Sequence, residues 1–189
     1  MKEKYYPWGG EFTECTEDGC VAVVNLNIDF TPTKKVAIYG SLRTENIGIE
    51  KIVANTISNP NIRYLVLCGE EIKGHRSGAS LIALNKYGID KQNKIKNAPG
   101  AIPYIENINE KAIKRFQKQI KTIDLIGEKN KKKINQKIQE LIDKKPKPLE
   151  KPYIAIKIKP VKKLNISDKR ALHSKIKINY LGKIKKRGE

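Results

Sequence analysis

The residues best equipped for chemistry lie in one stretch, Gly69-Glu70-Glu71-Ile72-Lys73-Gly74-His75-Arg76-Ser77-Gly78-Ala79-Ser80. His75 is one of two histidines; the other, His173, lies in a Lys-rich tail. Imidazole is neutral near pH 7 and is a common metal ligand. Gly74 and Gly78 flank it, and glycine lets a large flat ligand approach the backbone. Taken alone, Gly-His-x-x-Gly also fits an ordinary surface loop. The three cysteines, Cys15, Cys20 and Cys68, are an odd count that reads as reduced thiols, not a disulfide framework. Cys15 and Cys20 lack the further ligands a zinc site needs. Cys68 ends an apolar run and reads as a small buried hydrophobe.

The elements that must position His75 alternate between strand and helix. Residues 21–26, 35–40, 63–69 and 122–127 are apolar, β-branched runs that read as strands, the last three ending at Gly40, Gly69 and Gly127. Thr44 or Asn46 can cap a helix whose apolar positions are Ile47, Ile49, Ile52, Val53 and Ile57, and Asn59-Pro60 ends it. A second helix runs from 77 to 87 and stops at Gly88. Ala112, Ile113 and Phe116 share one face of a third. Continuous apolar strands in this alternation predict an α/β fold, a mainly parallel sheet with helices on both faces. Ligands of such sheets bind beyond the carboxyl ends of the strands. His75 therefore stands between a strand end and a helix start, beside a ligand crevice.

Charge divides the chain. Residues 1–127 hold 18 basic and 14 acidic residues, a net of +4, whereas residues 128–189 hold 21 and 6, a net of +15. The net charge of +19 therefore belongs to the C-terminal third. Its cations are mostly Lys, while Arg is the residue that reads guanine edges. Residues 129–143 read as a basic helix with Ile134, Ile138, Leu141 and Ile142 on one face. The Lys-Pro repeats at 145–152 then read as a linker. Residues 153–159 and 175–180 alternate apolar and polar, the pattern of two half-exposed strands pairing as a hairpin or small sheet. No segment reaches the ~18 uncharged apolar residues of a membrane-spanning helix, and no apolar leader opens the chain. The expected location is the cytoplasm.

Several ordered blocks carry a resemblance. Leu42-Arg43-Thr44-Glu45-Asn46-Ile47-Gly48-Ile49-Glu50-Lys51-Ile52-Val53-Ala54-Asn55, Ser58-Asn59-Pro60-Asn61-Ile62-Arg63, Leu67-Cys68-Gly69-Glu70 and Gly74-His75 resemble the A subunit of tetrahydromethanopterin S-methyltransferase. So do Gly100-Ala101-Ile102-Pro103-Tyr104-Ile105-Glu106-Asn107, Arg115-Phe116-Gln117, Tyr6-Pro7-Trp8-Gly9-Gly10 and Val21-Ala22-Val23. The resemblance covers about residues 5–127. It implies a Rossmann-like domain holding a cobamide, a cobalamin-type corrinoid whose cobalt carries a methyl group. The methyl comes from methyl-tetrahydromethanopterin and goes to coenzyme M in methanogenic archaea, through partner methyltransferase subunits. The family's axial histidine falls on His75. A histidine that binds one cobalt state better than another couples methyl loading to protein conformation. The corrinoid would be lined by Gly40, Thr44, Glu45 and Asn46, by Gly69, Glu70, Gly74, Gly78 and Ser80, and by Gly100, Ala101 and Pro103.

Two departures shape the expectation. The membrane-complex member of the family carries a C-terminal transmembrane helix, whereas this chain ends in Lys185-Lys186-Arg187-Gly188-Glu189. A soluble homologue is expected, at most attached to membranes peripherally and reversibly by salt. Soluble corrinoid proteins of methanol and methionine metabolism use Asp-x-His-x-x-Gly, but Lys73 stands where that Asp would be. Glu70 or Glu71 could take its place through space, and the second ring nitrogen of a ligating His75 is expected to meet a carboxylate or a backbone carbonyl. The expected organisation is a corrinoid-binding α/β domain over residues 1–143 and a Lys-rich extension over 144–189. The rival reading is a non-enzymatic binding module whose basic tail takes nucleic acid or an acidic partner.

Overall fold

The computed structural model describes residues 5–157 and the two short strands at 176–178 and 184–186. The elements run β1 (Phe12–Glu14), β2 (Val21–Leu26), β3 (Ile38–Ser41), α1 (Ile47–Ser58), β4 (Tyr64–Gly69), α2 (Ser77–Tyr87), α3 (Glu110–Gln119), β5 (Lys121–Ile126), α4 (Lys131–Ile142), β6 (Ile176–Ile178) and β7 (Ile184–Lys186). The first five strands form one sheet in the order β1-β3-β2-β4-β5. The pairs β3–β2, β2–β4 and β4–β5 are parallel, and β1 adds antiparallel at the edge. The fold is thus the expected α/β, Rossmann-like architecture, with one antiparallel edge strand.

The strand sequences follow from burial on both faces. Ala22, Val24 and Leu26 of β2, with Leu65 and Leu67 of β4, face the core built with α1, α2 and α3. Val21 and Val23, with Val66 and Cys68, face the core built with α4 through Ile134, Ile138 and Leu141. A strand wet on one side would alternate; a central parallel strand does not. Cys68 is fully buried, and burial pushes its thiol up to about 12. α1 starts where Asn46 Oδ1 accepts from Ile47 N at 2.8 Å and Thr44 Oγ1 accepts from Gly48 N at 2.8 Å, so both expected caps act.

The chain divides into two compact units, Met1–Ile158 and Lys159–Glu189. In the first, residues 144–157 run as a strap over the amino ends of the strands. Leu149 N donates to Pro60 O at 3.0 Å, Tyr153 N donates to Ile57 O at 3.2 Å, and Tyr153, Ala155 and Ile156 pack on the core. The alternation at 153–159 predicts a strand. Residues 153–157 are not one, because their buried face is taken up by this packing and not by a neighbouring strand. Ile158 and Lys159 lie outside the described residues. In the second unit β6 falls within the expected strand at 175–180, but its antiparallel partner is β7.

Candidate functional site

β4 stops at Gly69, whose φ of 93° suits glycine and whose position leaves no room for a Cβ against Leu26 O. The chain leaves the sheet there and makes a tight turn before α2. His75 N donates to Ile72 O at 2.9 Å, and Gly74 sits at φ 87° in open space. The turn holds the imidazole out from the carboxyl edge of the sheet, with its side chain 68% exposed.

Beneath it lies Glu45, delivered by the loop between β3 and α1. Its side chain is only 4% exposed, and Oε1 lies 3.3 Å from His75 Nδ1. Its Oε2 accepts from Ile102 N at 2.9 Å, which ties down the loop carrying Gly100 and Ala101. A Cβ on Gly100 would lie 2.7 Å from both Glu45 Cδ and Ser80 Oγ, so this backbone approaches only as glycine. The carboxylate that faces His75 is therefore Glu45. Glu70 instead pairs with Lys129 at 2.6 Å, and Glu71 Oε1 accepts from Ala79 N at 2.7 Å. Sequence proximity pointed to a carboxylate near His75 in the chain; β3 and β4 flank β2, and the fold brings it from across the sheet edge.

Three buried side-chain oxygens lack hydrogen-bond partners among the described residues: Glu45 Oε1, Glu71 Oε2 and Ser80 Oγ. All three belong to this edge. Oε1 of Glu45 is near the imidazole but not aligned for a hydrogen bond. Burial pushes the Glu71 carboxyl above its ordinary range and the Glu45 charge adds to this, while the Ala79 N–H and Arg76 pull it back. Buried polar groups are normally paired, and an unpaired one is costly. Apolar side chains surround the same edge: Ile72 is 51% exposed and Ile102 59%.

The expected residues therefore divide. His75, Glu45, Ser80, Gly78 and Gly100 converge. Ala101 is exposed on the Gly100 loop, and Pro103 is buried, its carbonyl accepting from Ile95 N at 2.8 Å. Asn46 caps α1. Gly40 and Thr44 line a neighbouring cleft of about 310 Å³ between β1, β3 and α1, whose lining includes none of His75, Glu45, Ser80 or Gly100. Among the described residues no group of three His, Cys, Asp or Glu could hold a bare metal ion. No helix among them is long and apolar enough to cross a membrane.

Comparison with known proteins adds the family. The sequence model for the A subunit of tetrahydromethanopterin S-methyltransferase matches residues 2–165. A Methanosarcina barkeri protein, provisionally named the A subunit of methyltransferase Mtx, is 43% identical over 147 residues, 78% of this chain and 75% of that protein. The tetrahydromethanopterin S-methyltransferase A subunit of Methanohalophilus mahii is 47% identical over 141 residues, 72% of this chain and 58% of its own. An A subunit of the same enzyme from Methanothermobacter thermautotrophicus is 48% identical over 153 residues, 79% of this chain and 64% of its own. The matched region thus spans less than two thirds of the last two proteins.

Proposed function

This chain belongs to the family of tetrahydromethanopterin S-methyltransferase A subunits, and from that premise we propose that it is a corrinoid methyl carrier. It would hold a cobamide at the carboxyl edge of its sheet with His75 as cobalt ligand. It would work between a methyl-tetrahydromethanopterin donor side and a coenzyme M acceptor side, each supplied by partner methyltransferase subunits. The observation that carries the reading is the exposed imidazole of His75 standing over the buried carboxylate of Glu45. Metal-bound histidines commonly donate their second ring nitrogen to a carboxylate, which fixes ring orientation and raises basicity.

The residues present fit such a group. A corrin ring supplies a cobalt centre that accepts and gives up a methyl group, and it brings four nitrogens of its own. One protein imidazole then completes the site, so no cluster of protein ligands is needed. His75 would present Nε2, while Nδ1 turns the short way needed to align with Glu45 Oε1. The buried Oε1 of Glu45 is unpaired and would gain that bond. Ile72 and Ile102, both exposed, would offer apolar contact to such a ring. Gly100 lets its loop close on Glu45.

Reconstitution with hydroxocobalamin tests the reading. The protein should emerge from gel filtration with stoichiometric pigment, and His75→Ala should shift its visible spectrum. A wild-type protein that elutes colourless would sink the proposal and leave a binding module of another kind.

A further inference from the structure

The turn that carries His75 is closed within itself, by His75 N donating to Ile72 O at 2.9 Å, and runs into a helix that lacks a cap from its own N-cap side chain. Arg76 occupies the N-cap of α2, and its side chain makes no capping bond. Glu71, on the other side of the turn, takes that role: its Oε1 accepts from Ala79 N at 2.7 Å. Between the two ends of this tie, Ile72 and His75 bridge in antiparallel fashion and the φ of 87° at Gly74 closes the turn. The tie is tight. A Cβ on Gly78 would lie 2.9 Å from Glu71 Oε1 and also strike Leu26.

This is a costly way to cap a helix. Ser or Asp at the N-cap would satisfy the first turn from an exposed position. A carboxylate brought in from before the turn is instead partly buried, with Oε2 unpaired. Burial and the nearby Glu45 charge both disfavour its ionised form. What the arrangement adds over a simple cap is a staple across the residues that carry the imidazole.

We infer that Glu71 is a positioning residue for His75. It locks the turn at 72–75 to the first turn of α2, which holds the imidazole over Glu45 and facing outward. The inference rests on the reading of His75 as the ligating residue, and it concerns this chain's own geometry before any ligand is bound.

Two variants of the full chain test it. Glu71→Ala removes the staple, whereas Glu71→Gln keeps an acceptor oxygen for Ala79 N and removes the charge. The first readout needs no ligand: amide hydrogen exchange at His75 and Ala79, with the imidazole resonances of His75. Glu71→Ala should speed exchange at both amides about tenfold or more and move the imidazole resonances, with β2 and β4 amides unchanged. Glu71→Gln should restore both. The second readout is the visible spectrum after hydroxocobalamin reconstitution, which in Glu71→Ala should move toward that of His75→Ala. Faster exchange at Ala79 alone, with the His75 amide, imidazole and spectrum unmoved, would reduce Glu71 to a helix cap and overturn the inference. So would a Gln variant that behaves like Ala. If the wild type binds no corrinoid, the functional reading fails, and the ligand-free exchange still decides the staple. If Glu71→Ala does not fold, Glu71→Asp, one methylene shorter, withdraws the carboxylate from Ala79 N while keeping the charge, and should give the same local exchange pattern.

Discussion

The two ends of the central sheet treat their buried polar groups in opposite ways. At the amino ends of the strands, Gln119 Nε2 donates to the carbonyls of Thr56, Asn59 and Ile62 at 3.2, 2.9 and 3.1 Å. Asn59 Nδ2 donates to Tyr6 Oη at 3.0 Å and to Glu17 O at 2.9 Å. Arg115 donates to Gln119 Oε1 at 2.8 Å, to the strap carbonyls of Leu149 and Lys151 at 2.6 and 2.9 Å, and to Glu150 at 2.8 Å. At the carboxyl ends, Glu45, Glu71 and Ser80 each leave an oxygen unpaired. Closed networks rigidify a fold, whereas each unpaired buried group is costly and calls for a partner. Glu50, in the first turn of α1, makes the same point beside Glu45. It is as buried as Glu45, yet its carboxylate accepts from Glu106 N, from Asn107 N at 2.8 Å and from Asn107 Nδ2 at 2.6 Å. Both oxygens of Glu50 are thus engaged in clamping a loop to α1, whereas Glu45 ties its loop with Oε2 alone and leaves Oε1 facing His75.

Breaking the amino end should destabilise the protein without altering the site chemistry. The largest effect is expected from truncation after Asp143, even though the Lys-Pro repeats that follow read in sequence as a separable linker. It removes the strap, the apolar contacts of Tyr153, Ala155 and Ile156, and three acceptors of Arg115. The loss should be roughly 4–6 kcal/mol in urea unfolding, a large share of a typical domain's stability. Arg115→Met keeps the stem but strands Gln119 Oε1 and the strap carbonyls. It should cost about 2–4 kcal/mol, read as a lower urea midpoint at constant m, with corrinoid affinity retained in the folded fraction.

Breaking the carboxyl end should do the reverse. Glu45→Gln keeps the size of the side chain and the acceptor for Ile102 N, but not the charge facing His75 Nδ1. Corrinoid affinity should fall by about 10–100-fold, measured by equilibrium dialysis, while thermal unfolding of the ligand-free protein moves little. The smallest effect belongs again to the closed end. Burial, less the effect of the Asn59 hydrogen bond, pushes the Tyr6 phenol up to about 12 from 10.0. Its neutral form is thus favoured in the folded state, so its contribution is complete below about pH 10 and is lost as pH rises through 12. Tyr6→Phe should cost about 1 kcal/mol at neutral pH and flatten that alkaline limb in a pH series of unfolding curves.

Much of this is legible in the chain where local signals are strong. The apolar runs of β2 and β4 announce strands buried on both faces, and Gly88 marks the end of α2 to the residue. β1 escapes a sequence reading because Phe12-Thr13-Glu14 is three residues with no periodicity; it exists through its pairing with β3. The strap imitates a strand because period-2 alternation reports one buried face of an extended chain, which a core surface satisfies as well as a strand does. His75 is legible from its flanking glycines and its place after a strand. The part played by Glu45 is not, since the contact depends on which strands neighbour each other and not on spacing. Glu71 stands out in sequence for its charge, and its tie to Ala79 follows only from the turn between them.

The central claim is that His75 ligates cobalt at the open end of the sheet. The most direct measurement is electron paramagnetic resonance of the protein loaded with cobinamide, which has no nucleotide base, and reduced to the Co(II) state. The account predicts a three-line nitrogen splitting on each cobalt line, collapsing to two lines when the protein is made with ¹⁵N-histidine and vanishing in His75→Ala. Bound cobinamide whose cobalt lines show no protein nitrogen splitting, or splitting that survives in His75→Ala, would contradict it.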